Sequence, residues 1–339
     1  MAPAGGADGL SGPFPGRLSY HLGPDGALRR DLTRHEIEAA FESGAGRLWV
    51  DIDSRDDDAW ALLDELFHFH HLAIEDTRSP DCRVKVEEYD RYVFIVVRGV
   101  HFVQESPAPY DLDSHNLYLF LGEHFLVSVH AGTFRSVLGV VERIEAGADL
   151  IARGVDYLAY ALVDTLVDQY FPILDRIDDF IGDVEAKIFD GGGDEMGEIF
   201  DLKRSLITLR RHLAPMREAA STLANRPSPY LRPETQIYFR DVHDHVVRQL
   251  DATESYREML TGALEAQVAL MSNRMNEIIK ALSVIATVIL PPTLIASIYG
   301  MNFRWMPWLH DPNGFWIVVG VMVLVTGALF AYLWRKRWL

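Results

Sequence analysis

Oxygen ligands dominate the side chains that could do chemistry. Carboxylates recur in short runs: Asp51 and Asp53, Asp56 to Asp58, Glu75-Asp76, Glu87-Glu88, and Asp175, Asp178, Asp179 and Asp183 along one helical pattern. Grouped carboxylates suit hard divalent cations, although an exposed acidic run is as readily a solvated face. In "HFHH", His68 and His71 could present two imidazoles from one helical face to a metal; the competing reading is a helix end with histidines near its C-terminal dipole. Cys82 is the only cysteine, which removes intrachain disulfides and thiol-rich zinc sites and favours a reducing compartment. Gly191 to Gly193 follow a helix rather than a strand and lack a downstream Lys-Ser/Thr, so they do not form a phosphate loop. No nucleotide-binding motif occurs elsewhere, which argues against transport powered by ATP.

A second kind of oxygen site lies near the C-terminus. "SIYGMNFRWMPW", Ser297 to Trp308, has a glycine, an asparagine and two tryptophans but almost no charge. It joins two apolar stretches. Ala281 to Tyr299 and Phe315 to Trp334 are uncharged runs of 19 and 20 residues, and at ~1.5 Å per residue each approaches the ~30 Å hydrocarbon core of a bilayer. Trp305, Trp308, Trp316, Trp334 and Trp338 lie in or beside the second run and its preceding loop, where amphipathic rings favour the membrane interface. Arg274 and Lys280 precede the first span, and Arg335, Lys336 and Arg337 follow the second, while Arg304 in the loop is offset by Asp311. By the positive-inside rule both termini face the cytoplasm of an inner or plasma membrane. A two-helix hairpin encloses no water path alone, so conduction requires oligomerisation about a shared axis.

The rest of the chain is a different material. Asp311 is the only acid beyond Glu277, and the formal net charge of -17 excludes a nucleic-acid partner while suiting cations. The first 20 residues have no basic region followed by an apolar run, so they are no secretory signal and read as a mobile tail. From about 45 to 135, "RLWVDID", "YVFIVVRGV", "NLYLFLG" and "HFLVSVH" read as strands and "DDAWALLDELFHF" as a helix, with Gly122-Glu123 marking a hairpin. Val155 to about Phe189 and Met196 to Asn225 predict an antiparallel helical hairpin with an acidic tip at "DGGGDE".

Between Pro233 and Pro291 there is no proline, and apolar residues recur at three and four spacing, from Val242, Val246 and Leu250 to Met271, Met275 and Ile278. This predicts one helix from Pro233 through Tyr299, on the order of 100 Å long. Pro291-Pro292 should kink it inside the span, where freed carbonyls must face protein or a water-filled cavity. Asn276, Ser283, Thr287, Thr293 and Ser297 form a polar stripe that could line a pore, alternating with Ile279, Leu282, Leu290 and Leu294 as narrow apolar rings. The same hydroxyls could equally be small packing residues between helices.

"YGMNF" followed by "MP", preceded by "NEIIKALSVIATVILPPTLIASI" and followed by a second span ending in "RKRWL", resembles the CorA-type divalent-cation channels. The resemblance covers most of the chain. It implies a homopentamer with first spans around the pore, and Gly300, Met301 and Asn302 as an outer entrance that captures a hydrated ion. Neutral amide and carbonyl oxygens suit Mg²⁺, which sheds water reluctantly. The family pattern places Asn276, Thr287 and Thr293 along the pore, Ile279, Leu282 and Leu290 at a hydrophobic gate, and Glu265 lower down as an acidic position that concentrates cations. Ile279 and Leu290 stand where some relatives have methionine. It also implies that Glu75, Asp76 and Asp241 meet across subunits and bind regulatory Mg²⁺, with Asp164 as a further ligand; bound cation holds the pentamer closed, and its loss lets like charges repel.

The expected layout is a tail (1–20), a cytoplasmic α/β domain (21–154), a helical hairpin (155–228), a stalk (229–280), a first transmembrane helix (281–299), an extracytoplasmic loop (300–314), a second transmembrane helix (315–334) and a basic tail (335–339). The expected function is passive influx of Mg²⁺, with Co²⁺ and Ni²⁺ permeant, in a non-enzymatic protein whose partners are its own copies, membrane lipid and the ions. The alternatives are a zinc (Zn²⁺) transporter of the same superfamily, proton-coupled or not, and a membrane-anchored sensor that does not conduct. For a passive channel, two charges entering a cell at -100 mV gain about 4.6 kcal/mol.

Overall fold

The computed structural model describes residues 17–338 apart from 57–59, 81, 104–109, 191–194, 303, 305, 309, 310 and 337. Residues 1–16, Asp57, Asp58, the Gly191–Asp194 part of the acidic tip, Trp305 and Arg337 therefore lie outside the described residues. It divides into two compact units, 1–263 and 264–339.

The first unit is built on a seven-stranded sheet: β1 (Arg17–Leu22), β2 (Leu28–Arg30), β3 (Arg47–Asp53), β4 (Lys85–Tyr89), β5 (Tyr92–Phe102), β6 (Leu112–Leu121) and β7 (Phe125–His130), in the order β2-β1-β3-β7-β6-β5-β4. Every pairing is antiparallel except β3 with β7. β1 corrects the expected tail: residues 17–20 pair with β3, because Leu18 and Tyr20 alternate with polar neighbours and the turn after Gly23 returns the chain to β2. The β6–β7 hairpin turns at Gly122, where a Cβ would lie 2.1 Å from the Phe125 ring, so only glycine fits.

β5, β6 and β7 read as continuous apolar runs because both faces of the sheet are covered. One face carries an aromatic core, Phe67, Phe69, Phe94, Phe120 and Phe125, beneath α1 (Arg34–Ser43), a π-helical turn (Leu62–Leu66) and α2 (His71–Arg78). The opposite face packs on α4 (Val155–Asp168), which is buried nearly all round between the strands and α3 (Arg135–Glu145). The expected single helix over 155–189 is two, α4 and α5 (Tyr170–Phe189), divided at Gln169. Pro172 has no N–H to offer the Asp168 carbonyl, which breaks the ladder at that turn. α6 (Met196–Asn225) returns beside α5 and keeps its helix through Pro215.

"HFHH" departs from both expectations. His68 has a φ of 50° and lies between helices, its Nδ1 3.0 Å from the Asp64 carbonyl at the end of the π turn. His70 is the N-cap of α2 and accepts from the Leu72 N–H, and His71 is the first residue of that helix. His68 and His71 thus belong to different elements, and only His68 sits at a helix C-terminus.

α7 runs without interruption from Pro233 to Tyr299, and α8 from Gly314 to Arg335. The C-terminal part of α7 and all of α8 are long and apolar enough to cross a membrane, and they are almost wholly exposed in the single chain. Their two uncharged runs therefore do not form the core of a soluble domain.

Candidate ion pathway and metal centre

Continuity of α7 sorts the expected pore residues. Glu265, Asn276 and Thr287 are spaced by eleven residues, as are Ile279 and Leu290, and Leu282 and Thr293. Eleven residues make about three turns, so each set stacks in one line, and successive lines are offset by roughly 60°. Together they cover about a third of the helix circumference. All seven side chains are exposed in the isolated protomer. Pro292 lies on the opposite side and faces α8, where with Val319, Met322, Val323 and Phe330 it lines an apolar cleft of about 720 Å³. The polar line therefore points away from the helix that covers α7.

The prolines have a chemical consequence on that line. Pro291 cannot donate to the Thr287 carbonyl, nor Pro292 to that of Val288, which leaves two backbone oxygens without helical donors. The Thr293 hydroxyl donates 2.8 Å to the Ile289 carbonyl, so its own lone pairs remain outward as acceptors. Neutral oxygens of this kind can receive the hydration shell of a cation.

Beyond α7, the Gly300 N–H closes on the Ala296 carbonyl at 2.9 Å and the Met301 N–H on that of Ile298 at 3.2 Å, which ends the helix and leaves Met301 and Asn302 exposed. The Tyr299 hydroxyl reaches the Pro307 carbonyl at 3.4 Å. Before α8, a Cβ on Gly314 would lie 2.0 Å from the Trp308 carbonyl, so glycine is required for the chain to pass so close.

In the first unit, α4 and α7 bring Asp164, Asp241 and His245 together, with ligand atoms all within 4.8 Å of one another. Spacing of four on each helix puts Asp164 with Asp168 and Asp241 with His245 on facing surfaces. The His245 ring bridges them, Nδ1 3.1 Å from Asp168 and Nε2 3.5 Å from Asp241. Burial, and then the Asp168 charge, push the Asp164 carboxyl above its ordinary value, and Tyr160 bonds to it. Burial and Asp164 likewise raise the Tyr160 hydroxyl. A cation placed among these groups relieves that crowding of acids. Asp168 and His245 escaped sequence reasoning, although the four-residue spacing from Asp164 and Asp241 was a visible signal.

Glu75 and Asp76 are not part of this group. They lie on α2, where Asp76 pairs with Lys85 at 2.6 Å and Lys85 also reaches Glu87 at 2.8 Å. Glu75 lines two shallow clefts at that surface, one of them shared with Asp76 and Glu88. Two other sequence candidates, Asp53 and Asp51, are spoken for. Asp53 is paired with Arg55 and accepts from the Gly132 N–H, and the Arg55 hydrogen bond holds its carboxyl far below the ordinary value. Asp51 is buried between the Ser128 hydroxyl and His130, 3.0 Å from Nε2.

Comparison with known proteins bears on the family and the fold. Residues 44–337 match the family described as CorA-like Mg²⁺ transporter protein. The chain is 33% identical over 320 residues to the cobalt/magnesium transport protein CorA of Thermotoga maritima, covering 91% of this chain and 89% of that one. It is 23% identical over 291 residues to the zinc transport protein ZntB of Yersinia enterocolitica, covering 86% and 88%. Its fold matches the complete structure of the CorA magnesium transporter of Methanocaldococcus jannaschii with a TM-score of 0.83 at 20% identity, over 95% of this chain and 98% of that one. With two membrane-crossing helices, a large cytoplasmic α/β unit and a matching fold, the chain belongs to the CorA-like family of membrane-embedded divalent-cation transporters and is no enzyme.

Proposed function

We propose that the protein is a homopentameric channel for passive Mg²⁺ influx, with Co²⁺ and Ni²⁺ as further permeants, closed by intracellular Mg²⁺. The observation that carries this reading is the single helix α7, which bears Asp241 at one end and the Asn276–Thr287 line at the other and delivers Gly300, Met301 and Asn302 at its exit. In the pentamer, five first spans turn the exposed arc of α7 inward. Asn302 and the backbone around Gly300 bind the ion's water shell, Thr287 and Thr293 supply neutral oxygens, and Ile279, Leu282 and Leu290 form the dry constriction. Glu265 adds negative charge on the cytoplasmic side. Mg²⁺ at Asp164 and Asp241, and between subunits at Glu75 and Asp76, neutralises acids that otherwise repel and holds the stalks together.

A zinc-transporting reading has one observation in its favour: His245 places an imidazole in the cation cluster, and nitrogen ligands favour Zn²⁺, Co²⁺ and Ni²⁺ over Mg²⁺. Flux into proteoliposomes decides between the two. Passive influx is expected to carry Mg²⁺ down a voltage gradient without a pH gradient, whereas zinc transport that depends on a proton gradient selects the second reading. Absence of flux for every divalent ion would refute conduction.

A further inference from the structure

β5 and β6 place a second group of metal-ligand side chains together, and it shares no residue with the Asp164–Asp241–His245 cluster. In the antiparallel register His101 lies opposite Asp113 and Gly99 opposite His115. Residues two apart on a strand share a face, so His101, Asp113 and His115 stand side by side on one surface of the sheet. The two imidazoles are neighbours, with ring centroids 4.9 Å apart. All three residues line a cleft of about 810 Å³ that also receives Thr133, Arg135 and Arg176.

From this arrangement we propose that His101, His115 and Asp113 form a cytoplasmic binding site for a borderline transition-metal dication, of which Zn²⁺ is the test case. Two imidazoles and one carboxylate with open positions are a recurrent donor set for such ions. Zn–N bonds of ~2.0–2.1 Å place two nitrogens roughly 3.3 Å apart, so rings whose centroids lie 4.9 Å apart must reorient when the ion binds. Asp113 is exposed and its carboxylate at present accepts from the Ser114 N–H at 2.8 Å. A directly opposed pair has Cβ atoms only ~4.5–5.5 Å apart, so a change of rotamer rather than of backbone brings Asp113 to the ion.

One further observation points to a ligand. His101 Nδ1 is buried without a hydrogen-bond partner, and a buried polar nitrogen left unpaired is costly unless something binds it. Phe134 packs edge-on against His115 at 4.7 Å. Mg²⁺ is the wrong ion here. It requires several oxygens and is held by charge, whereas this cleft offers one carboxylate beside two guanidinium groups, that of Arg176 lying over the Phe102 ring. The arginines suit an anionic co-ligand, such as hydroxide, in an open coordination position.

The test measures Zn²⁺ binding by chelator competition on full-length, tag-free protein in detergent, in an Asp164→Asn/Asp241→Asn background that disables the other cluster. One Zn²⁺ per protomer is expected, resistant to millimolar Mg²⁺. His101→Gln and His115→Gln should each weaken it by roughly 1,000-fold, beyond the ~10–100-fold usual for an outer-shell change, and Asp113→Asn by less. Unchanged stoichiometry and affinity in His101→Gln, or displacement of Zn²⁺ by Mg²⁺ at equal concentration, overturns the proposal. If His115→Gln does not fold, His101→Gln and Asp113→Asn, at partly buried and exposed positions, still decide it.

Discussion

Neutralising Asp241 tests the proposed gating cluster most directly. Asp241→Asn keeps the size and helical position of the side chain and removes one negative charge from a group whose ligand atoms lie within 4.8 Å of one another. A dication and a carboxylate ~4 Å apart attract by about 332 × 2/(80 × 4), or roughly 2 kcal/mol, with the dielectric constant of water. That solvent value applies because the Asp241 side chain is 62% exposed, and a separation of 4 Å is well inside the ~8 Å screening length at physiological salt. Roughly 2 kcal/mol is about a 30-fold loss of affinity. The Mg²⁺ concentration on the cytoplasmic side that half-inhibits influx should therefore rise about 30-fold, with the open-channel flux unchanged, since Asp241 lies on α7 far in sequence from Asn276. The assay is Mg²⁺ uptake into proteoliposomes of defined orientation loaded with graded internal Mg²⁺. A shift of less than threefold would remove Asp241 from the sensor and refute the reasoning.

Four other outcomes are expected. Asn302→Ala should abolish uptake while the oligomer stays intact by size-exclusion chromatography with light scattering; near-normal uptake excludes Asn302 from the entrance. Pro291→Ala restores a donor to the Thr287 carbonyl and should lower single-channel conductance severalfold without loss of protein, an effect that equal conductance would contradict. His245→Gln should weaken inhibition by Co²⁺ by at least tenfold and by Mg²⁺ much less, because the imidazole matters to the softer ion; equal changes would make His245 a structural residue only. Asp156 is buried, and its hydrogen bonds to Arg232 and Thr235 outweigh the upward push of burial and hold its carboxyl below the ordinary value. Asp156→Asn should cost about 3 kcal/mol, the lower end for a broken buried pair because Arg232 is half in solvent. A depressed acid stabilises fully above its unfolded pKa near 4, so the difference in melting temperature should be constant from pH 8 to 5 and shrink as the pH falls below 4.

The sequence alone decided much of what is local, although it missed the break before Pro172. Uncharged runs of bilayer length, the lysines and arginines that flank them, and the long spell without proline before Pro291 specified the two spans and an uninterrupted α7, because hydrophobic length and helical periodicity are properties of consecutive residues. Met196 to Asn225 was legible for the same reason. β1, β2 and β4 were not, since short strands owe their existence to partners distant in the chain: Leu18 means little until it pairs beside Asp51.

Site residues divide in the same way. Gly300 to Asn302 could be picked out because their motif is contiguous, whereas which acids share a site depends on how α4 meets α7. Tertiary structure joined Asp164 to Asp241 and added Asp168 and His245, gave Asp53 to Arg55 and Asp51 to His130, and split "HFHH" between two elements. It also set His101 against Asp113 and His115, a pairing fixed by the register of β5 on β6. A carboxylate or imidazole acquires its role from the charges within a few ångströms of it, and in a folded chain those come mostly from residues remote in sequence.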